Sequence, residues 1–161
     1  MGRQHLKLWF KYAREFESPV QSAYLQAVLL TVARRRELSA LKWTDVDVKW
    51  HRMELSDNVE ERRTISLPPY LAGQLRELHR LNNTRPNVRQ LRRLKREDKE
   101  WTPSIWVFRS LVSASGHLEE PKKAHIKILE LAGSRHVSIH DLRRSFGSLS
   151  QWCEIPSGVI P

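Results

Sequence analysis

The order of apolar and polar positions predicts that both ends of the chain are mostly helical. Apolar residues recur at spacings of three and four in residues 20–33 and 139–152, a pattern typical of helices with a buried face. Similar patterns occupy four further stretches, namely residues 4–17, 38–43, 69–78 and 121–131. Ser138 and Asp141 have the spacing of a capping box before the last helix, and Gly133 is a usual C-terminal stop for the helix before it.

The centre of the chain follows the period of extended structure instead. Val46, Val48 and Trp50 alternate with charged residues, and an apolar stripe continues through Met53 and Leu55. A polar stretch, residues 56–61, separates this segment from a second extended one at residues 64–67, which predicts a β-hairpin. Residues 105–108 are expected to form a short buried strand. The predicted fold class is α+β, mainly α-helical with a small antiparallel hairpin or three-stranded sheet.

Length and composition favour one folded domain spanning residues 1–161. The chain has no apolar run long enough to cross a bilayer, and its N-terminus lacks the apolar centre of a secretory signal, so a cytoplasmic location without a membrane partner is expected. The single cysteine, Cys153, excludes an intrachain disulfide and a zinc site built from cysteine pairs. The histidines show no metal-ligand spacing, and no metal site is predicted.

The formal net charge of +10 points to a polyanionic partner, of which nucleic acid is the commonest. Residues 85–99 hold seven basic side chains against two acidic ones. This stretch is either a solvated helix or loose insertion, or an arm that contacts phosphates. Charge alone indicates the partner and leaves the reaction open.

Two clusters carry candidate chemistry, residues 34–38 and residues 140–144. In the first, Arg34 and Glu37 are three residues apart, and in the second His140 and Arg143 have the same spacing, which puts each pair on one helix face. Two guanidinium groups on one phosphate can stabilise the charge of a pentacoordinate transition state. A histidine exchanges protons near neutrality, and a glutamate can hold an arginine in place.

These clusters resemble the motifs of a known family. Arg34-x-x-Glu37-Leu38, followed by residues 40–46, resembles the first-arginine motif of the tyrosine recombinases, which include the phage integrases, and residues 140–146 are similar to their His-x-x-Arg motif. The intervening predicted elements follow the family's order, and the resemblance covers roughly residues 20–160.

The resemblance implies site-specific recombination or integration of DNA. A tyrosine attacks the scissile phosphate and forms a 3′-phosphotyrosyl bond, with no metal and no nucleotide cofactor. Arg34 and Arg143 would clamp the phosphate, His140 would assist proton transfer, and Glu37 would support Arg34. Further DNA contacts are expected from the remaining arginines of these motifs and of the hairpin, namely Arg35, Arg36, Arg62, Arg63 and Arg144. The implied partners are double-stranded DNA and other recombinase protomers, at the nucleoid of a bacterial or phage-derived system.

The sequence departs from the family pattern at several points. Asn58 stands near the position of the lysine that acts as general acid, so slow or absent cleavage is expected. Val32 replaces a usual glycine before Arg34. The tyrosine nucleophile would follow Pro161, and none of Tyr12, Tyr24 and Tyr70 fits its role. We therefore expect a partial catalytic domain, without the N-terminal DNA-clamping domain or the tyrosine segment, that does not cleave DNA by itself.

Two alternatives remain open at the level of sequence. The chain can be a non-catalytic DNA-binding remnant of a decayed prophage integrase, or a basic RNA-binding protein unrelated to recombination, although no aromatic RNA-recognition motif is present. The tryptophans at 43, 50, 106 and 152 are predicted to pack in the core, whereas Trp9 and Trp101 fit no clear pattern.

Overall fold

The computed structural model describes residues 3–31, 33–57, 60–98 and 100–152, without the side chains of residues 3, 57, 60, 61 and 146–152. Helices dominate this part of the chain, and three strands form a small central sheet. The elements, in chain order, are α1 (Arg3–Arg14), α2 (Pro19–Leu30), α3 (Arg35–Ser39), a 3₁₀ turn (Trp43–Asp45), β1 (Val46–Asp47), β2 (Arg52–Asp57), β3 (Glu60–Ser66), α4 (Pro69–Asn83), α5 (Val88–Arg96), α6 (Lys122–Leu131) and α7 (Ile139–Trp152). The predicted α+β class is confirmed.

The strands form an antiparallel sheet in the order β1-β2-β3. Met53 pairs with Ile65, and Leu55 pairs with Arg63. Met53 and Leu55 are each 1% exposed, so one face of the sheet packs against the helices. Because directly paired residues point to the same face, Arg63 lies on this inner face beside Leu55.

Helix α2 is the centre of the core. It packs against α1, α3, α4 and α7, and every residue from Ser22 to Leu29 is buried. The ring of Tyr24 contacts Phe108 edge to face, with centroids 5.2 Å apart. Ser18 begins the helix, because its hydroxyl accepts a hydrogen bond from the backbone N–H of Gln21 at 3.4 Å, and Pro19 takes the first helical position.

The start of α7 forms as the capping pattern predicts. The hydroxyl of Ser138 accepts a hydrogen bond from the backbone N–H of Asp141 at 3.1 Å and donates one to the Asp141 carboxylate at 2.6 Å. Ile139 and Leu142 are buried on the side that faces α2. This local structure determines where the following side chains of α7 point.

Two expectations need correction, and one position left open by the sequence can be assigned. Residues 105–108 form no strand: Trp106 makes only an isolated bridge with Lys42, although Val107 and Phe108 are buried in the core. Trp50 is 68% exposed, because it lies in the turn between β1 and β2 and not on the inner face of the sheet. Trp9, for which the pattern gave no assignment, is fully buried. The side chain of Trp152 lies outside the described residues.

Candidate phosphate-binding site

A cleft brings the two predicted clusters together. Its volume is about 420 Å³, and it lies between the start of α3 and the first turn of α7. Both predicted arginines and the predicted histidine line it. Among the residues that the structure describes, the lining consists of Val28, Ala33, Arg34, Arg35, Arg36, Ile139, His140 and Arg143. Arg34, His140 and Arg143 were predicted to act on one phosphate, and all three line one cavity.

Packing of α2 against α7 creates the cleft. Val28 near the end of α2 and Ile139 at the start of α7 are buried and form part of its apolar lining. The i, i+3 spacing then carries His140 and Arg143 to one side of the first turn of α7. Backbone N–H groups at a helix N-terminus favour an anion, which adds to the positive charge of the arginines that line the cleft.

Arg34 is held in position through its backbone. It is the N-cap residue of α3, with φ −71° and ψ 148°, and its N–H donates a hydrogen bond to the carboxylate of Glu37. Glu37 is buried, at 4% exposure. Glu37 thus contacts the backbone of Arg34, and its support of the Arg34 side chain stays a prediction.

The same carboxylate also binds Arg63. Nη2 of Arg63 lies 2.8 Å from Oε2 of Glu37 and donates a hydrogen bond to it. The strand register explains this contact, since Arg63 lies on the inner face of the sheet, next to α3. Sequence reasoning missed this pair, although the alternation of Arg63 with Ile65 on one face was a usable signal.

The other predicted DNA-binding arginines have different surroundings. Arg35 lines the cleft and forms an ion pair with Glu120 at 2.7 Å, and Arg36 lines the cleft as an exposed residue. Arg62 points to the outer side of the hairpin, 73% exposed, with Glu54 at 3.6 Å. Arg144 is 77% exposed and lies 3.9 Å from Asp141. Neither Arg62 nor Arg144 lines the cleft.

Tyr12, Tyr24 and Tyr70 are away from the cleft lining as far as the structure describes the chain. Burial raises the pKa of Tyr24, whose hydroxyl donates a hydrogen bond to the carbonyl of Arg35 at 3.2 Å. The hydroxyl of Tyr70 donates to the side-chain oxygen of Gln26 at 2.6 Å. Tyr12 is half-buried against the core. That none of the three is a nucleophile stays a prediction.

Some predicted features lie outside the described residues, namely Val32, Asn58 and Cys153. Within the described ranges, no group of histidine, cysteine or acidic side chains has the arrangement of a metal site. The helices of those ranges include none that is both long and apolar enough to span a membrane.

Comparison with solved structures defines the class of fold. The chain aligns with a XerA recombinase at a TM-score of 0.67 and 17% identity, covering 94% of this chain and 50% of that one. It aligns with the XerH site-specific recombinase bound to difH substrate in a pre-cleavage complex at a TM-score of 0.66 and 17% identity, covering 96% of this chain and 43% of that one. The fold is that of the tyrosine-recombinase catalytic core.

Sequence comparison adds a relative. No protein-family model matches the chain. It is 43% identical over 160 residues to the prophage integrase IntF of Escherichia coli (strain K12), covering 99% of this chain and 31% of that protein. The chain is therefore a homologue of a phage integrase, which confirms the resemblance seen in its motifs, and it spans about a third of the relative's length.

Proposed function

We propose that the protein acts in site-specific DNA recombination, as part of the catalytic domain of an integrase that breaks and rejoins DNA strands. The observation that carries this proposal is the meeting of Arg34, His140 and Arg143 in one cleft. Homology to a prophage integrase and the recombinase fold support it.

In this proposal the two arginines bind the non-bridging oxygens of the scissile phosphate. A guanidinium offers a planar fork of donors and stays charged at any working pH, so Arg34 and Arg143 stabilise the charge that builds up on the pentacoordinate phosphorus. His140, on the exposed first turn of α7, takes or gives a proton at the reacting oxygen. Glu37 fixes the backbone of Arg34.

The bond changes balance without an added reactant. A tyrosine hydroxyl, supplied from outside the described residues, loses its proton and attacks phosphorus. The bond between phosphorus and the 5′-oxygen breaks, the 5′-oxygen takes up a proton, and a 3′-phosphotyrosyl ester remains. The 5′-hydroxyl of another strand reverses these steps. The ester conserves the energy of the broken bond, so the scheme calls for no nucleotide or metal cofactor.

DNA contacts beyond the cleft belong to the same proposal. Arg36 at the cleft, Arg62 on the outer side of the hairpin and Arg144 on α7 are exposed cations that can bind flanking phosphates. Arg35 lines the cleft beside Glu120. Assembly with other recombinase protomers on double-stranded DNA, at the nucleoid, completes the proposal.

A non-catalytic DNA-binding remnant is the second candidate. It is favoured by the surroundings of Tyr12, Tyr24 and Tyr70, none of which lines the described part of the cleft. The two candidates share DNA binding and differ in covalent chemistry.

A suicide DNA substrate tests the two candidates with the full-length gene product. Recombination chemistry predicts a covalent protein–DNA adduct that Arg34→Ala or Arg143→Ala abolishes, whereas a remnant gives none. Binding is measured in parallel with duplex DNA over a range of salt concentrations. Each arginine substitution is expected to lower the salt-dependence slope by about one unit. Unchanged affinity and slope in both variants would contradict the phosphate clamp.

A further inference from the structure

Helix α5 carries a row of arginines on one face. It contains five basic residues and no acidic one, and none of its residues is buried. Arg89, Arg92, Arg93 and Arg96 follow the i, i+3, i+4, i+7 spacing, which places four guanidinium groups along one side of the helix. We call these four residues the arginine stripe.

The opposite side of α5 carries two leucines. Leu91 and Leu94 are half-buried, whereas all four residues of the stripe are exposed. Leu94 lines a surface depression together with Trp101 and Arg109, beyond the end of α4. Arg93 lines the same depression, whereas Arg89, Arg92 and Arg96 do not.

The stripe is poorly neutralised by the protein itself. Nε of Arg93 lies 3.1 Å from the carboxylate of Glu97. Arg89, Arg92 and Arg96 have no acidic partner in the part of the chain that the structure describes. Like charges at these helical spacings repel each other, and a bound polyanion removes this repulsion.

We propose that the arginine stripe is a second DNA-binding surface, which binds the phosphate backbone of duplex DNA outside the cleft. Seven residues separate Arg89 from Arg96, a rise of about 10 Å along the helix, comparable with about three base-pair steps of 3.4 Å. No residue of α5 lines the cleft. This inference rests on the proposed function and adds a surface that raises affinity without reading sequence.

The binding test first compares three variants of the chain, and a fourth at the cleft follows below. R89Q/R92Q/R96Q removes three charges, spares the Arg93–Glu97 pair and retains helix propensity, because glutamine is nearly as good a helix former as arginine. R89K/R92K/R96K retains the charges. K7Q/K11Q/R14Q is the matched control, because it removes three exposed charges of α1 at the spacing i, i+4, i+7. Far-UV circular dichroism checks that each variant is folded.

The measured quantity is the dissociation constant for duplex DNA between about 50 and 200 mM salt. The glutamine variant of the stripe is expected to lower the salt-dependence slope by about 2 to 3 units, close to 0.9 for each phosphate that it no longer neutralises. The lysine variant is expected to retain the slope, and the α1 control to change it by less than about one unit.

Other outcomes overturn the inference. A slope unchanged in R89Q/R92Q/R96Q, an equal loss in the α1 control, or a loss seen with RNA but not with duplex DNA would each contradict it. The variant R34A/R143A separates this inference from the proposed phosphate clamp. If only R34A/R143A lowers the salt-dependence slope, DNA binding by the stripe is contradicted and the clamp is supported. If only R89Q/R92Q/R96Q lowers the slope, the clamp is contradicted and the stripe is supported. If the unmodified chain does not bind duplex DNA, both the stripe and the phosphate clamp are contradicted.

Discussion

The guanidinium of Arg63 on β3 lies 2.8 Å from the carboxylate of Glu37 on α3, and that carboxylate also accepts the backbone N–H of Arg34. One buried acidic group thus joins the hairpin to the first residue of the proposed phosphate clamp. The side chain of Glu37 is 2% exposed and that of Arg63 is 35% exposed, so water screens the pair only from the arginine side.

Glu37→Gln is expected to lower the free energy of unfolding by about 1–3 kcal/mol. The amide retains the shape of the side chain but leaves the Arg63 charge without its counter-ion, and solvent access to Arg63 keeps the loss below that of a fully buried pair. Equilibrium unfolding in urea measures the change in the free energy of unfolding. Glu54→Gln is the control, because Glu54 pairs with an exposed arginine, and a change within about 0.5 kcal/mol is expected. Equal midpoints for Glu37→Gln and the unmodified protein would argue against this prediction.

Arg63→Met distinguishes support of the cleft from direct DNA contact. The apolar side chain removes the ion pair, so stability falls, but a residue that does not touch phosphate leaves the salt slope of DNA binding unchanged. We expect the slope to change by less than about half a unit, against about one unit for Arg143→Ala. If Arg63→Met lowers the salt-dependence slope of DNA binding by about one unit, the direct DNA contact of Arg63 predicted from sequence is favoured instead.

His125 is expected to make stability depend on pH. Burial lowers its pKa below the ordinary value, and its ring packs edge to face on Trp9 with centroids 6.1 Å apart. Nε2 donates to the carbonyl of Val137 at 2.7 Å, and Nδ1 has no hydrogen-bond partner in the described part of the chain, so a second ring proton would find no acceptor.

The sign of the pH effect follows from the lowered pKa of His125. The unfolded chain binds a proton more readily than the folded protein, so stability is complete above the unfolded pKa of about 6.5 and decreases as the pH falls below it. Thermal unfolding between about pH 5 and 8 measures this trend. His125→Gln should flatten the trend, whereas His5→Gln, at an exposed position, should retain it. A trend of the same size in both variants would contradict the assignment to His125.

Ser138→Ala removes the side-chain cap of α7 and is expected to cost about 1 kcal/mol of stability. Because His140 and Arg143 lie on the first turns of this helix, fraying there should also weaken DNA binding. Ser138→Asn, which retains a capping oxygen, should restore both properties. Chemical unfolding and DNA titration of the two variants provide the measurement. If Ser138→Ala and Ser138→Asn have the same stability and the same DNA affinity, the side-chain cap does not support α7 in this way.

Only the tertiary structure decided how distant segments meet. The Arg63–Glu37 pair depends on strand register and on the packing of α3 against the sheet, which no local pattern specifies. The burial of Trp9, whose ring contacts His125, follows from a neighbour distant in sequence. The segment around Val107 and Phe108 is as apolar as a strand, but isolated bridges and single hydrogen bonds join it to residues 41–43 and 116–118. Its burial is satisfied without a continuous strand ladder.

The sequence by itself determined what depends on near neighbours. The three- and four-residue apolar spacing predicted α1, α2, α4, α6 and α7, and the Ser138–Asp141 spacing predicted the cap of α7, because helices and caps form from contacts within four residues. The motifs around Arg34 and His140 indicated the chemistry. Their convergence in one cleft required α2 to pack against α7, since only folding brings residues so far apart in the chain into one cavity.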